Sequence, residues 1–296
     1  MSFEWVGGIA ALAVVVLIWW PIRLAIAHGA ETRFEQAHLR DSDGIIIGAE
    51  PIHLRGVRPG AVLLLHGFND SPQAVASLAG ALHDAGWSVF APVLPGHART
   101  LQAFSASGAD AWISAARAAL RALHAQHGHV ATCGLSMGGA LALILASEHP
   151  EVEAVVGIAP YVHLSLPLRA LLVLSPIAAI GSRYLSAGGG RSVHDPEAAR
   201  RMISYRTATP RLLRELAKVA HVANAGLQQV RQPVMVIQSR EDNRIPARYA
   251  ETAFARIGSI DKTLEWVSNA GHVITVDHGH EEVERRITTW LSTRLP

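Results

Sequence analysis

The chain has 296 residues, half of them hydrophobic and only 17% charged, which excludes a disordered chain and allows one large α/β domain or two small ones. Lysine plus arginine number 26 against 24 acidic residues, a net charge of +2, and no arginine cluster exceeds a pair (Arg200-Arg201, Arg285-Arg286). That distribution excludes the electrostatic footprint of a nucleic-acid binder.

The first run of note is Trp5–Ile22, uncharged and apolar, close to the lower limit of about 17–20 residues for a bilayer-spanning helix. Trp5 at one end and Trp19-Trp20 at the other are placed like interfacial anchors. Residues 1–28 are therefore expected to form a transmembrane anchor. Arg23, Arg33 and Arg40 follow the run, so the positive-inside tendency puts the body of the protein in the cytoplasm. The alternative is a signal segment cleaved near Ala25-Ile26-Ala27, with export of the remainder. The acidic Glu4 and the length of the run speak against it. Residues 29–43 are polar and read as a linker, leaving 44–296 as the main domain.

That domain opens with Ile45–Ile47 as a strand or hairpin arm and Ile52–Leu54 as its partner. Ala61–Leu65 is a continuous apolar run, the signature of a strand buried on both faces of a parallel sheet. Ser71-Pro72 opens a helix through Val75, Leu78 and Leu82 to Ala85, and Trp87–Ala91 is the next strand. A loop, Pro92–His97, precedes a helix from Asp110. Val130–Gly134 is a strand, Ser136–His149 a helix and Ala154–Ile158 a further strand. The single cysteine, Cys133, falls in the first of these strands as a small core hydrophobe, with no internal disulfide open to it.

From about 161 to 224 the strand–helix alternation lapses. Leu164–Ile180 is apolar but broken by Pro167, Arg169 and Pro176, which disfavours the alternative of a second membrane span. It reads as a helical cap over a site, followed by the flexible Gly188-Gly189-Gly190 and an amphipathic helix from Pro210 to Leu227. The alternation then resumes with a strand at Pro233–Gln238, a helix at Ala247–Ile257, a strand at Thr263–Val267 and a closing helix at His278–Leu295. The expected fold is a mostly parallel sheet with helices on both faces.

Chemistry concentrates at the carboxyl ends of such strands. After Val130–Gly134 stands Gly134-Leu135-Ser136-Met137-Gly138, a Gly-x-Ser-x-Gly turn that holds a serine in a strained strand-to-helix conformation with its hydroxyl presented. Asp242 follows the strand ending at Gln238, and His272 follows the strand ending at Val267. A serine hydroxyl needs a base near neutral pKa, which an imidazole supplies, and the imidazole needs a carboxylate to fix its tautomer. The order Ser136…Asp242…His272 suits that division of labour. Glu241 neighbours Asp242 and remains an alternative by spacing, whereas Asp277 would break the order. Asp277-His278-Gly279-His280 has the residue types of a metal cluster but opens a helix, and reads as a cap with exposed histidines. His66 reads as a structural hydrogen-bonder, and His97 either lines the pocket or is a plain loop histidine.

Taken together, Leu65-His66-Gly67-Phe68, Leu94-Pro95-Gly96-His97, Gly134–Gly139, Gln238–Asp242 and Gly271-His272-Val273-Ile274-Thr275-Val276-Asp277 resemble the α/β-hydrolases, in particular bacterial carboxylesterases and monoacylglycerol lipases with a small helical cap. The resemblance spans roughly Gly44–Leu295 and implies an α/β-hydrolase fold with Ser136, Asp242 and His272 as catalytic triad. It also implies the backbone N–H groups of Phe68 and Met137 as oxyanion hole, no cofactor and no metal. Two features depart from the family pattern, the N-terminal apolar run and Ala98-Arg99-Thr100 after His97, where a glycine commonly follows. The expected activity is hydrolysis of short- to medium-chain carboxylic esters, monoacylglycerols among them, through an acyl-enzyme. A thioesterase, peptidase or perhydrolase on the same triad is one alternative, and a non-catalytic, membrane-anchored binding protein is the other.

Overall fold

The computed structural model describes residues 3–164, 170, 172, 183–186 and 192–296. Its strands are β1 Ile52–Leu54, β2 Ala61–Leu65, β3 Ser88–Ala91, β4 Val130–Leu135, β5 Val152–Ile158, β6 Leu185–Ser186, β7 Thr207–Ala208, β8 Val234–Ser239 and β9 Lys262–Val267. Its helices are α1 Phe3–Ala37, α2 Ala76–Asp84, α3 Leu101–Ala106, α4 Ala109–His127, α5 Met137–Glu148, α6 Pro196–Arg201, α7 Pro210–Gly226, α8 Ala247–Arg256 and α9 His280–Ser292.

Seven strands form one sheet in the order β1-β3-β2-β4-β5-β8-β9. Only β1 runs antiparallel, pairing Ile52–Leu54 with Val89–Ala91. Strands β2, β4 and β8 are buried at every residue, because helices cover a parallel sheet on both faces, and their few polar residues (Thr132, Gln238, Ser239) are buried too. β9 is half-exposed along its length, as an edge strand must be. Helix α5 is buried from Met137 to Ala146, so its sequence carries no polar stripe. It lies against β4 and β5 on one side and α7 on the other. Among the described residues Trp87, Trp112 and Phe104 are the largest wholly buried side chains, each contributing about 2–3 kcal/mol of transfer free energy.

The structure departs from the sequence expectations in four places. Ile45–Ile47 does not pair with Ile52–Leu54 but folds back on Leu39–Asp41. The Asp41 carboxylate accepts the N–H groups of Asp43 and Ile45, closing a turn, and Ile46 makes a single bridge to Arg40. Residues 29–43 are not an irregular linker, since α1 continues to Ala37 with Ala27 buried and Phe34 packed on the core. Helix α3 was not foreseen, although Thr100 caps it by accepting the Ala103 N–H at 3.0 Å. Finally, α7 ends the expected cap region 161–224 but packs on α4 and α5 as part of the body, burying Leu212, Leu216, Val219 and Ala223.

The apolar cap helix expected over Leu164–Ile180 lies, apart from Leu164, Ala170 and Leu172, outside the described residues. Among the described residues no helix is long and apolar enough to cross a membrane, so the expected anchor in residues 1–28 finds no support there.

Candidate active site

β4 ends in Leu135 and α5 begins at Met137, leaving Ser136 alone on the turn with φ 55° and ψ −113°. A non-glycine residue in that region carries about 1–3 kcal/mol of strain and persists only where its surroundings hold it. Here they do. The Ser136 N–H donates to Ile158 O at 2.8 Å, and its carbonyl accepts from the N–H groups of Ala140 and Tyr161, each at 3.0 Å. The flanking glycines are steric necessities. A Cβ on Gly134 would lie 2.2 Å from the Gly138 carbonyl carbon, and one on Gly138 would lie 2.0 Å from Leu65 O.

The imidazole arrives from the far end of β9. His272 Nε2 lies 2.8 Å from Ser136 Oγ, and Nδ1 lies 2.8 Å from Asp242 Oδ2. A carboxylate only accepts, so Nδ1 carries the proton and Nε2 is left as the acceptor for the serine hydroxyl. Asp242 reaches this position from the loop after β8. Its Oδ1 accepts from the N–H groups of Arg244 (2.7 Å) and Ile245 (2.9 Å), and its Oδ2 accepts also from Gln238 Nε2 at 2.8 Å. Burial alone would raise this carboxyl, but His272 and the Ile245 and Arg244 N–H groups hold it below its ordinary range. It is a charged acceptor.

The loop that carries His272 hangs on Asp277. This buried carboxylate accepts four backbone N–H groups, from Gly271 (2.7 Å), His194 (2.8 Å), Asp195 (2.9 Å) and His278 (2.8 Å). Burial would raise its pKa, and these four donors bring it below the ordinary value. The sequence expectation of a helix cap at this position is corrected accordingly. The cap residue of α9 is Gly279, and Asp277 instead ties the histidine loop to the segment returning from the cap region.

Opposite the serine runs the loop after β2. A Cβ on Gly67 would sit 3.7 Å from Ser136 Cβ, which sets how closely this loop crosses the serine. Among the described residues the N–H groups of Phe68 and Met137 have no hydrogen-bond acceptor, while their side chains are buried. His66 is buried beneath the loop. It accepts the Leu94 N–H on Nε2 (3.1 Å), so Nδ1 carries the proton and donates to Gly67 O at 2.9 Å. His97 is wholly buried and donates Nε2–H to Phe68 O at 2.6 Å. It does not line a pocket. Burial, with His97 beside it, holds His66 well below its ordinary value, and burial lowers His97 to about 4.

The structure thus brings Ser136, Asp242 and His272 into one hydrogen-bonded line, with Phe68 and Met137 beside it. Glu241 stays outside that line, accepting the Asn269 N–H at 2.8 Å. Cys133 is buried in β4, which raises its thiol pKa. Two residues escaped the sequence reading. Gln238 is wholly buried, and its amide faces Asp242 Oδ2 and Ile245 O (3.3 Å). Asp70 is buried within the loop after β2, its carboxyl raised to about 6 by burial against the pull of His272, Ser204 and Arg244. Asp70 carries no motif signal because the groups around it are distant in sequence, whereas Gln238 opens the Gln238–Asp242 run and its partners lie four and seven residues on. Among the described residues no group of three or more histidine, cysteine, aspartate or glutamate side chains is placed to hold a metal ion.

Known proteins resemble this chain over most of its length. A thermostable monoacylglycerol lipase of Bacillus sp. (strain H-257) is 29% identical over 248 residues, 82% of this chain and 94% of that protein. A carboxylesterase of Bacillus subtilis (strain 168) is 25% identical over 232 residues, 78% of this chain and 92% of that one. Among solved structures, one from the metagenome-derived lipolytic enzymes LipS and LipT superposes with a TM-score of 0.78 at 32% identity, covering 84% of this chain and all of that one. A soluble variant of Saccharomyces cerevisiae monoglyceride lipase shares the fold, with a TM-score of 0.71 at 17% identity over 83% of this chain and 91% of that one. The family profile described as serine aminopeptidase, S33 (Hydrolase_4) matches residues 57–279. The chain belongs to this family and has the α/β-hydrolase fold.

Proposed function

We propose that this hydrolase is a serine esterase that cleaves short- to medium-chain carboxylic esters, monoacylglycerols among them, through an acyl-enzyme. The observation that carries the proposal is the continuous line Asp242–His272–Ser136, each link 2.8 Å, ending beside two backbone N–H groups that have no acceptor among the described residues. Ser136 Oγ attacks the ester carbonyl carbon and gives its proton to His272 Nε2. The imidazolium that results is stabilised by the charged Asp242. Negative charge gathers on the carbonyl oxygen, where the Phe68 and Met137 N–H groups donate to it; one such donor is typically worth about 10²–10³ in turnover. As the tetrahedral intermediate collapses, the proton passes from Nε2 to the leaving alkoxide. Water, deprotonated by His272, then hydrolyses the acyl-enzyme to acid and free serine.

The lipase and carboxylesterase names of the relatives support an ester substrate rather than a peptide. The test is hydrolysis of p-nitrophenyl esters from acetate to laurate by wild type and Ser136→Ala, with amino-acyl p-nitroanilides in parallel. Activity that peaks at an intermediate chain length and vanishes in the variant is the expected outcome. Release from the anilides but from no ester would replace the proposal with a peptidase.

The same proposal places α1 at a lipid surface from which apolar esters partition, with the catalytic body on the cytoplasmic side. In support, Ile18, Trp20, Ile22, Leu24 and Ile26 are all exposed, and the Arg23 guanidinium lies 5.3 Å from the Trp20 ring. A blue shift of tryptophan emission on adding anionic vesicles is expected for wild type and not for Trp19→Ser/Trp20→Ser.

A further inference from the structure

Three consecutive carbonyls of the loop after β2 are held from below, and the holders lead back to the N-terminal helix. Gly67 O is taken by His66, Phe68 O by His97 Nε2, and Asn69 O by the Tyr205 N–H at 3.0 Å. Tyr205 also holds the turn that carries His97. Its hydroxyl accepts the Arg99 N–H at 2.9 Å and lies 3.0 Å from Gly96 O. Both segments are bent in ways L-residues resist, with Ala98 at φ 52° and Arg206 at φ 49°, so each needs outside contacts to keep its shape.

Those contacts come from the N-terminal segment. The Tyr205 ring stacks on Phe104, parallel within 1° at 4.2 Å, and on Phe34 of α1 at 5.0 Å. After α1, the Ile46 N–H donates to Ala98 O at 2.8 Å, and Arg99 Nη1 donates to Asp43 O at 2.8 Å. Glu31 fastens the helix itself, accepting from Gln102 Nε2 (2.8 Å) and from the Tyr184 hydroxyl (2.6 Å). Phe34, Asp43 and Ile46 all lie outside the family-matched residues 57–279.

We propose that Phe34 is a positioning residue for the oxyanion hole: seated on Tyr205, it holds the Tyr205 and His97 clamps on the two peptide units that follow Phe68. Docking of the last turns of α1 therefore sets the aim of the Phe68 N–H. The proposal rests on the oxyanion role given to Phe68 above, and its test separates the two. Phe34→Ala and Phe34→Tyr are compared with wild type for kcat and KM on the best p-nitrophenyl ester. A second readout is the rate at which Ser136 is phosphonylated by a fluorophosphonate probe, which needs the hole but no particular substrate. Thermal melting checks folding.

Phe34→Ala is expected to lower kcat and phosphonylation together by about tenfold or more, as a tilted donor would, with KM within about twofold. Phe34→Tyr, which keeps the flat face, is expected to restore both. If Phe34→Ala does not fold, Phe34→Leu supplies the same apolar contact without the stack and takes its place. A folded variant with wild-type kcat and phosphonylation rate overturns the proposal, as does a rise in KM with kcat unchanged. A wild type that is phosphonylated but cleaves no ester sinks the esterase proposal alone, leaving the coupling to be read from phosphonylation.

Discussion

Replacing His97 by glutamine should flatten the acid side of the stability curve. The imidazole has an ordinary pKa of 6.5 when exposed in the unfolded chain and about 4 in the fold, where burial disfavours its cation. The unfolded state therefore binds more protons between those values, and the stability given by the neutral imidazole, complete above 6.5, is lost as pH falls toward 4. With a shift of this size, wild type loses about 2 kcal/mol through this residue between about pH 7 and about pH 5, and about 3 kcal/mol by about pH 4. Glutamine does not titrate and can still donate an amide N–H to Phe68 O. Asp70, raised to about 6, takes up its proton more readily in the fold and offsets part of the acid loss. It is present in both proteins and cancels in the comparison. His97 is uncharged in the folded chain through most of this window, so its removal leaves His66 largely as it was. Urea unfolding of both proteins at the two upper pH values measures the difference. A pH-dependent loss equal in wild type and His97→Gln would refute the assignment of a buried neutral imidazole here.

Asp242→Asn keeps the shape but gives the two oxygens' donors only one acceptor, so His272 takes the wrong tautomer. A fall in kcat of about 10⁴ is expected with the fold intact by circular dichroism, and a loss under tenfold would contradict the charged-acceptor role. Gly138→Ala puts a methyl into the Leu65 carbonyl, backbone against backbone, with no side chain able to yield. Destabilisation at or beyond the upper end of the usual overpacking range, about 1–3 kcal/mol, is expected, together with loss of Ser136 phosphonylation; a stable, active variant would show the elbow to be looser than described. Asp277→Asn should leave buried N–H groups from Gly271, His194, Asp195 or His278 without acceptors. It should therefore cost about 2–4 kcal/mol on melting and slow turnover by loosening the His272 loop. Unchanged melting would mean that water replaces the carboxylate.

The sheet and the serine turn were legible because their causes are local. Ala61–Leu65 and Val234–Ile237 announce burial by carrying no polar group on either face. Gly134 and Gly138 announce a turn that admits no Cβ. His272 and Asp242 could be found because strand ends gather chemistry, and those ends follow from the strands. What could not be read depends on partners far along the chain. Phe34 and Glu31 sit in a polar stretch that looks like a tether, and only Tyr205, Gln102 and Tyr184 make it a docked helix. Asp277 looks like a helix cap until its bonds to Gly271 and His194 are seen. The amphipathic stripe of Pro210–Gly226 was correctly periodic, but periodicity does not say which surface it meets, and it met α5 rather than a cap.

Ser136 and His272 are 136 residues apart, and the strand that delivers the histidine is the last to join the sheet, at its edge. This bears on synthesis at the ribosome. A nascent chain that has released Ser136 and Asp242 still lacks His272, and β8 waits with one edge unpaired until Lys262–Val267 emerges. The interval before that strand docks is when the growing polypeptide is most open to aggregation. On the proposed mechanism it is also an interval in which the serine has no base, so hydrolysis would begin only as the last strand closes the sheet.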